Sequence, residues 1–218
     1  MKEAVILLSG GMDSATLIGY CLENEIQPHC LNINYGQKHQ REIDSAKSIA
    51  KCYDFPFTSL DLSIIRGLLS GSALTDDIDV PEGYYKHETM KSTVVPNRNA
   101  ILLSIGAGYA ISLKADYIMI GAHGGDHDIY PDCRREFLEP LNDAFREGNY
   151  HKVNIRAPFL YDTKSNIVQR GIKYNIPYEL TWTCYNGGKK ACGKCGSCIE
   201  RLEAFKNNGI EDPLEYEK

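Results

Sequence analysis

The sequence predicts an α/β protein: a doubly wound, five-stranded, mainly parallel sheet followed by a short cysteine-rich segment. Three observations carry this. A wholly apolar run, Ala4-Val5-Ile6-Leu7-Leu8, enters the glycine turn Ser9-Gly10-Gly11-Met12-Asp13-Ser14 and then Ala15-Thr16-Leu17-Ile18, the order strand, turn, helix. Strand-like and helix-like periods then alternate as far as a fifth apolar run. Near the far end, Cys184, Cys192, Cys195 and Cys198 gather half of the 8 cysteines. The expected division is 1–180 for the α/β domain and 181–218 for the cysteine-rich segment with its final helix.

The elements follow in order. The first helix is expected to end near Asn24. His29–Tyr35 reads as a second strand, Tyr35-Gly36-Gln37 as the turn out of it, and Lys38–Cys52 as an amphipathic helix with Ile43, Ala46, Ile49 and Ala50 inward. Phe55–Leu62 supplies the third strand. In such sheets ligands sit at the carboxyl ends of the strands, where the glycine turn already lies. From about 66 to 96 no period survives, and the stretch reads as a binding loop or a mobile one, with short helical turns near Ile64–Leu69 and Tyr84–Tyr85.

Asn97 is expected to cap an almost wholly apolar, buried helix over Ile101–Ala110. Arg98 at its mouth is costly unless it meets an anion or a carboxylate. Ala115–Gly121 forms the fourth strand, Glu136–Glu147 a helix, and Val153–Phe159 the fifth strand. Asp162 or Thr163 caps the next helix. Lys164 in its first turn opposes the dipole; on local grounds it points to solvent, whereas a nearby phosphate would give the placement a use. Cys198–Phe205 continues as the last helix.

Composition narrows the function. With 24 Lys+Arg against 29 Asp+Glu, a net charge of -5 and no long run of either sign, non-specific nucleic-acid or membrane-surface binding is not expected. No signal peptide or membrane span is expected either, which implies a cytoplasmic protein with reduced thiols.

The glycine turn is built for phosphate. Gly10 and Gly11 lack Cβ atoms, so the backbone amides and the positive helix end can approach an anion closely. Ser9 and Ser14 add donors, and Asp13 can cap the helix or hold magnesium. No Lys follows the glycines, so this is not a Walker motif. On turn residues alone it is also compatible with a tight βα turn that binds nothing. The dense stretch His123–Arg134 sits at another strand's carboxyl end. There Asp126, Asp132, Tyr130 and Arg134 suit recognition of a planar polar ring and a carboxylate, or a solvated Gly-Asp-Pro loop. Cys133 is a nucleophile only with a placed base, and reads as inert without one. The tetrad Cys184, Cys192, Cys195, Cys198 suits one structural, tetrahedral zinc ion per chain, with an iron–sulfur cluster as the competitor.

Ser9-Gly10-Gly11-Met12-Asp13-Ser14 resembles the PP-loop of enzymes that split ATP between its α and β phosphates. Together with Val95-Pro96-Asn97-Arg98-Asn99, Tyr130-Pro131-Asp132-Cys133-Arg134 and the cysteine tetrad, it resembles the 7-cyano-7-deazaguanine synthase family nearly end to end. The resemblance implies a Rossmann-like, adenine-nucleotide-α-hydrolase-like fold and an ATP-dependent carbon–nitrogen ligase of queuosine biosynthesis. Its implied partners are ATP with Mg2+, ammonium and 7-carboxy-7-deazaguanine, with a structural zinc and a homodimer. ATP would lie along Leu8, Ser9, Gly10, Gly11, Met12, Asp13, Ser14, Ala15, Thr16 and Leu17. Asp13, Arg98 and Lys164 are the implied catalytic residues, and Asp126, Tyr130, Asp132 and Arg134 the substrate contacts. The rivals are a PP-loop tRNA thiouridine synthase, which would need Cys133 as sulfur carrier, and a nucleotide- or zinc-binding module without turnover.

Overall fold

A computed structural model describes residues 1–38, 41–84 and 88–217. Five parallel strands form one sheet in the order β3-β2-β1-β4-β5: β1 Lys2–Leu7, β2 Ile26–Asn34, β3 Phe57–Asp61, β4 Tyr117–Met119 and β5 Asn154–Arg156. The central strand explains the two layers. Its side chains alternate, so Ala4 and Ile6 enter the core on one face while Val5 and Leu7 enter the other. Helices α1 (Met12–Glu23), α2 (Arg41–Cys52), α5 (Lys164–Lys173) and α6 (Gly196–Asn207) cover the first face. Helices α3 (Arg98–Leu113) and α4 (Arg135–Glu147) cover the second. Ile6 and Leu8 are fully buried, each contributing roughly 1.5–3 kcal/mol relative to exposure.

Several expectations change. β2 begins three residues earlier than His29, and β4 and β5 are shorter than their apolar runs, pairing over three residues each. The helix read over Ile101–Ala110 extends to Arg98–Leu113 and is not buried all round: Leu103, Gly106, Ala107 and Ala110 face the sheet, while Ser104 and Gly108 are exposed. Asn97 does precede it, but in the left-handed region (φ 53) and without a side-chain capping bond. The long connection holds 3₁₀ turns at Ser63–Leu68 and Glu88–Thr93. The turn expected near Tyr84–Tyr85 falls partly, and the start of the second helix at 39–40 wholly, outside the described residues.

The cysteine-rich segment is tied to the first turn of the fold. Trp182 N–H donates to the Gly10 carbonyl at 2.9 Å. Arg201 of α6, fully buried, donates to both oxygens of Asp212 at 2.7 and 2.9 Å and to Thr181 and Thr183. That fork satisfies a charge that would otherwise be too costly to bury.

Candidate active site

A deep cavity opens at the carboxyl ends of β1, β2 and β4. Ser9, Gly11, Asp13 and Ser14 of the glycine turn line it, as do Arg98, Asp126, Tyr130 and Lys164. Gly10 makes the turn possible. Its φ is +97, and a Cβ there would stand 2.0 Å from the Glu42 carbonyl oxygen, so only glycine lets α2 approach. Gly11 N–H donates to Ser9 Oγ at 3.2 Å, and the Ser9 and Ser14 hydroxyls pair at 3.0 Å. Of the other residues expected to contact ATP, Leu8 lines the cavity; Gly10, Met12, Ala15, Thr16 and Leu17 support the turn from behind.

Lys164 does not point to solvent. It is 8% exposed, and its ammonium meets Asp13 Oδ2 at 2.7 Å, His123 Nε2 at 2.8 Å and Glu200 Oε2 at 3.4 Å. The capping box of Thr163 and Asn166 sets the start of α5, so Lys164 turns back toward α1. Burial works against its charge, yet Asp13, Glu200 and Asp126 hold its pKa above the ordinary value. Burial likewise pushes the Asp13 carboxyl up, but Lys164 and His123 pull it below the usual carboxylate range. Asp13 Oδ1 has no hydrogen-bond partner among the described residues. His123 is driven down to about 4 by burial and by Lys164 beside it. Asp126, which accepts from the His123 amide at 3.2 Å, is raised to about 6, mainly by burial.

Arg98 lies against the other wall. Burial opposes its charge while Tyr35 and Asp132 favour it, and its guanidinium stands 5.9 Å from the Tyr130 ring centroid. The guanidinium donates to Asn99 Oδ1 at 3.3 Å and bonds the Tyr35 side chain. Asp132 and Arg134 are not brought into this cavity. Asp132 accepts from the Asn99 amide at 3.1 Å, Arg134 donates to the His127 carbonyl at 2.7 Å, and both line a shallower groove with Val94, Asn97 and Phe137. Cys133 does line the main cavity, but burial and the nearby Asp126 push its thiol up, and Asn99 Nδ2 donates to the sulfur at 3.3 Å.

Sequence reasoning missed Glu42, Trp182, Tyr185 and Ser197, which also line the cavity, and Glu200 behind Lys164. Glu42 follows the Tyr35-Gly36-Gln37 turn at a strand's carboxyl end, which was the available signal. Burial raises its carboxyl to about 7, against the pull of Arg98.

The four tetrad sulfurs are buried and lie within 4.8 Å of one another, with Cys192 and Cys198 3.9 Å apart. Thiolates at about 2.3 Å round one tetrahedral ion stand roughly 3.8 Å apart. The cluster therefore fits a single metal ion. A four-iron cluster binds each cysteine to a separate iron and spreads them wider.

A glycine turn after the central strand of this sheet, with the buried Lys164–Asp13 pair beside it, fits the PP-loop class of α/β proteins. Within it, the chain belongs to the family described as queuosine biosynthesis protein QueC, whose sequence model matches residues 3–209. The chain is 53% identical over 216 residues to a 7-cyano-7-deazaguanine synthase of Hahella chejuensis, covering 99% of this chain and 94% of that one. It is 52% identical to the synthase of that name from Pseudoalteromonas atlantica, covering 100% of both. In fold it resembles the NMN synthetase of Francisella tularensis (TM-score 0.52, 13% identity, 95% of this chain, 77% of that chain). A 4-thiouridine synthetase in an RNA complex with bound ATP is comparably similar (TM-score 0.53, 14% identity, 93% and 50%).

Proposed function

We propose that this chain converts 7-carboxy-7-deazaguanine and ammonia into 7-cyano-7-deazaguanine at the expense of ATP. The observation that carries the proposal is identity of about one half, end to end, to synthases of that name. The cavity supplies compatible chemistry. A carboxylate cannot lose oxide, whereas adenylate leaves readily, so attack of the substrate carboxylate on the α phosphate gives an acyl adenylate and pyrophosphate. Ammonia then displaces AMP to form an amide; a second adenylation, on the amide oxygen, allows loss of AMP and a proton to leave the nitrile.

The residues mostly hold charge and geometry. The glycine-turn amides and the Ser9 and Ser14 hydroxyls would cradle pyrophosphate, with Lys164 beside them as the buried cation. Arg98 would meet the acid group and Tyr130 the ring. Asp126 is a further candidate contact; Asp132 and Arg134 act here through the loop they brace. Mg2+ arriving with ATP would find the unpartnered Asp13 Oδ1 and would neutralise charge on the leaving pyrophosphate. The tetrad would hold structural zinc, since four thiolates without an open position suit it. Free ammonium as nitrogen source and a homodimer complete the reading. Burial of Cys133 speaks against a sulfur carrier.

The test is pyrophosphate release from ATP with Mg2+ and ammonium, with and without the acid, followed by product mass. Acid-dependent release with amide and then nitrile supports the reading; release only with tRNA and a sulfur donor sinks it.

A further inference from the structure

Three carboxylates line the cavity: Asp13, Glu42 and Asp126. Asp13 is held by Lys164 at 2.7 Å, and Asp126 by the His123 amide at 3.2 Å. The Glu42 side chain, among the described residues, makes no hydrogen bond, and Arg98 acts on it only through its charge. Its place is nonetheless fixed, because the Glu42 carbonyl packs into the space that Gly10 leaves without a Cβ. Half-buried in the cavity wall near Tyr35 and Arg98, this carboxylate is raised to about 7 by desolvation, and a ligand that brings donors to its two oxygens relieves that cost.

The ligand's chemistry can be narrowed. Phosphates and the acid group of the substrate would be repelled. Adenine offers one exocyclic amine with no ring N–H beside it. A 2-amino-pyrimidinone edge offers N1–H and the 2-amino group side by side, matching two carboxylate oxygens. Arg98, which faces the same space and pulls on the Glu42 charge, leaves a cation for the carboxylate on the other ring of the bicycle.

We propose that Glu42 is the specificity-determining residue that reads the amino-pyrimidinone edge of the substrate ring. The proposal rests on the acid-to-nitrile reading for the identity of the ring. Asp126 is excluded from this role by its engagement with the His123 amide and by its place beside Lys164.

The experiment compares wild type with Glu42→Gln on two acids, 7-carboxy-7-deazaguanine and its analogue with hydrogen in place of the 2-amino group. A site built to bond an N–H rejects the ligand lacking it. Wild type should prefer the acid that carries the 2-amino group by at least about tenfold in kcat/KM. In Glu42→Gln, KM for the amino substrate should rise at least about tenfold, KM for ATP should stay within about twofold, and the preference should collapse. Equal loss on both acids, or a parallel rise in KM for ATP, overturns the proposal. Calorimetric binding of 7-deazaguanine and of its desamino counterpart separates the two readings. If wild type turns over neither acid yet still binds only the amino base, and Glu42→Gln does not, the reaction assignment fails and the role of Glu42 stands. If wild type binds both bases alike, the role of Glu42 falls.

Discussion

Lys164 donates to Asp13 Oδ2 across 2.7 Å, joining the first turn of α5 to the first turn of α1. The contact explains a lysine that opposes its own helix dipole. Replacing Lys164 by Met would leave Asp13 and Glu200 without their counter-charge, a loss of roughly 3–5 kcal/mol for a broken buried pair. Acid-dependent pyrophosphate release should fall at least about 100-fold. Urea unfolding and release assays on the same variant read both; an unchanged urea midpoint would show that the pair carries no stability.

Arg98 tests recognition of the acid group. Its guanidinium is buried, with Tyr35 and Asn99 as uncharged partners, so an anionic ligand is the expected counter-charge. Arg98→Lys keeps the charge and loses the planar fork. KM for the acid should rise about tenfold, and further in Arg98→Met, with KM for ATP moving less. A larger effect on ATP than on the acid would place the guanidinium on phosphate instead.

What was legible in the sequence was local. The strand, the Ser-Gly-Gly turn and the helix lie in one stretch, so the phosphate cradle could be read directly, and the tetrad's spacing announced itself. Lys164 was misjudged on local grounds because its partners Asp13 and Glu200 come from α1 and α6. Arg134 and Asp132 lie in the right stretch, but the 3₁₀ turn at Pro131–Cys133 aims them away from the main cavity. Glu42 lies outside the inward set Ile43, Ala46, Ile49 and Ala50 of its helix and in no motif; the approach of α2 to Gly10 brings it to the cavity.

The tetrad should matter to nucleotide binding as well as to stability. Ser197, at the start of α6 between Cys195 and Cys198, lines the cavity, and Trp182, two residues before Cys184, is bonded to Gly10. Stripping the metal with a strong chelator should therefore weaken ATP binding at least about tenfold and open the segment around 186–194 to protease. Metal analysis should find one zinc per chain. Intact ATP affinity in metal-free protein would separate the segment from the cavity.

His123 gives a pH signature whose sign can be worked out. Its folded-state pKa is pushed down to about 4 by burial and by Lys164, against about 6.5 in an unfolded chain. Between those values the unfolded chain binds a proton here that the folded chain does not, so this contribution to stability is present above pH 6.5 and is lost as pH falls toward 4. Glu42 and Asp126, raised to about 7 and about 6, act in the opposite sense, each losing stability as pH rises. The wild-type curve alone therefore mixes the three, and the informative quantity is the difference from a His123→Gln variant, which keeps Glu42 and Asp126. Gln here should be less stable than His at pH 7.5, since it disturbs the contacts to Gly125 and Lys164. At pH 5 the gap should narrow by up to about 2 kcal/mol, at 1.36 kcal/mol per pH unit. Denaturant midpoints of both proteins at the two pH values measure it. A gap that is the same or wider at pH 5 would mean that His123 is charged in the folded protein, with Asp13 and Glu200 outweighing Lys164 at the heart of the cavity.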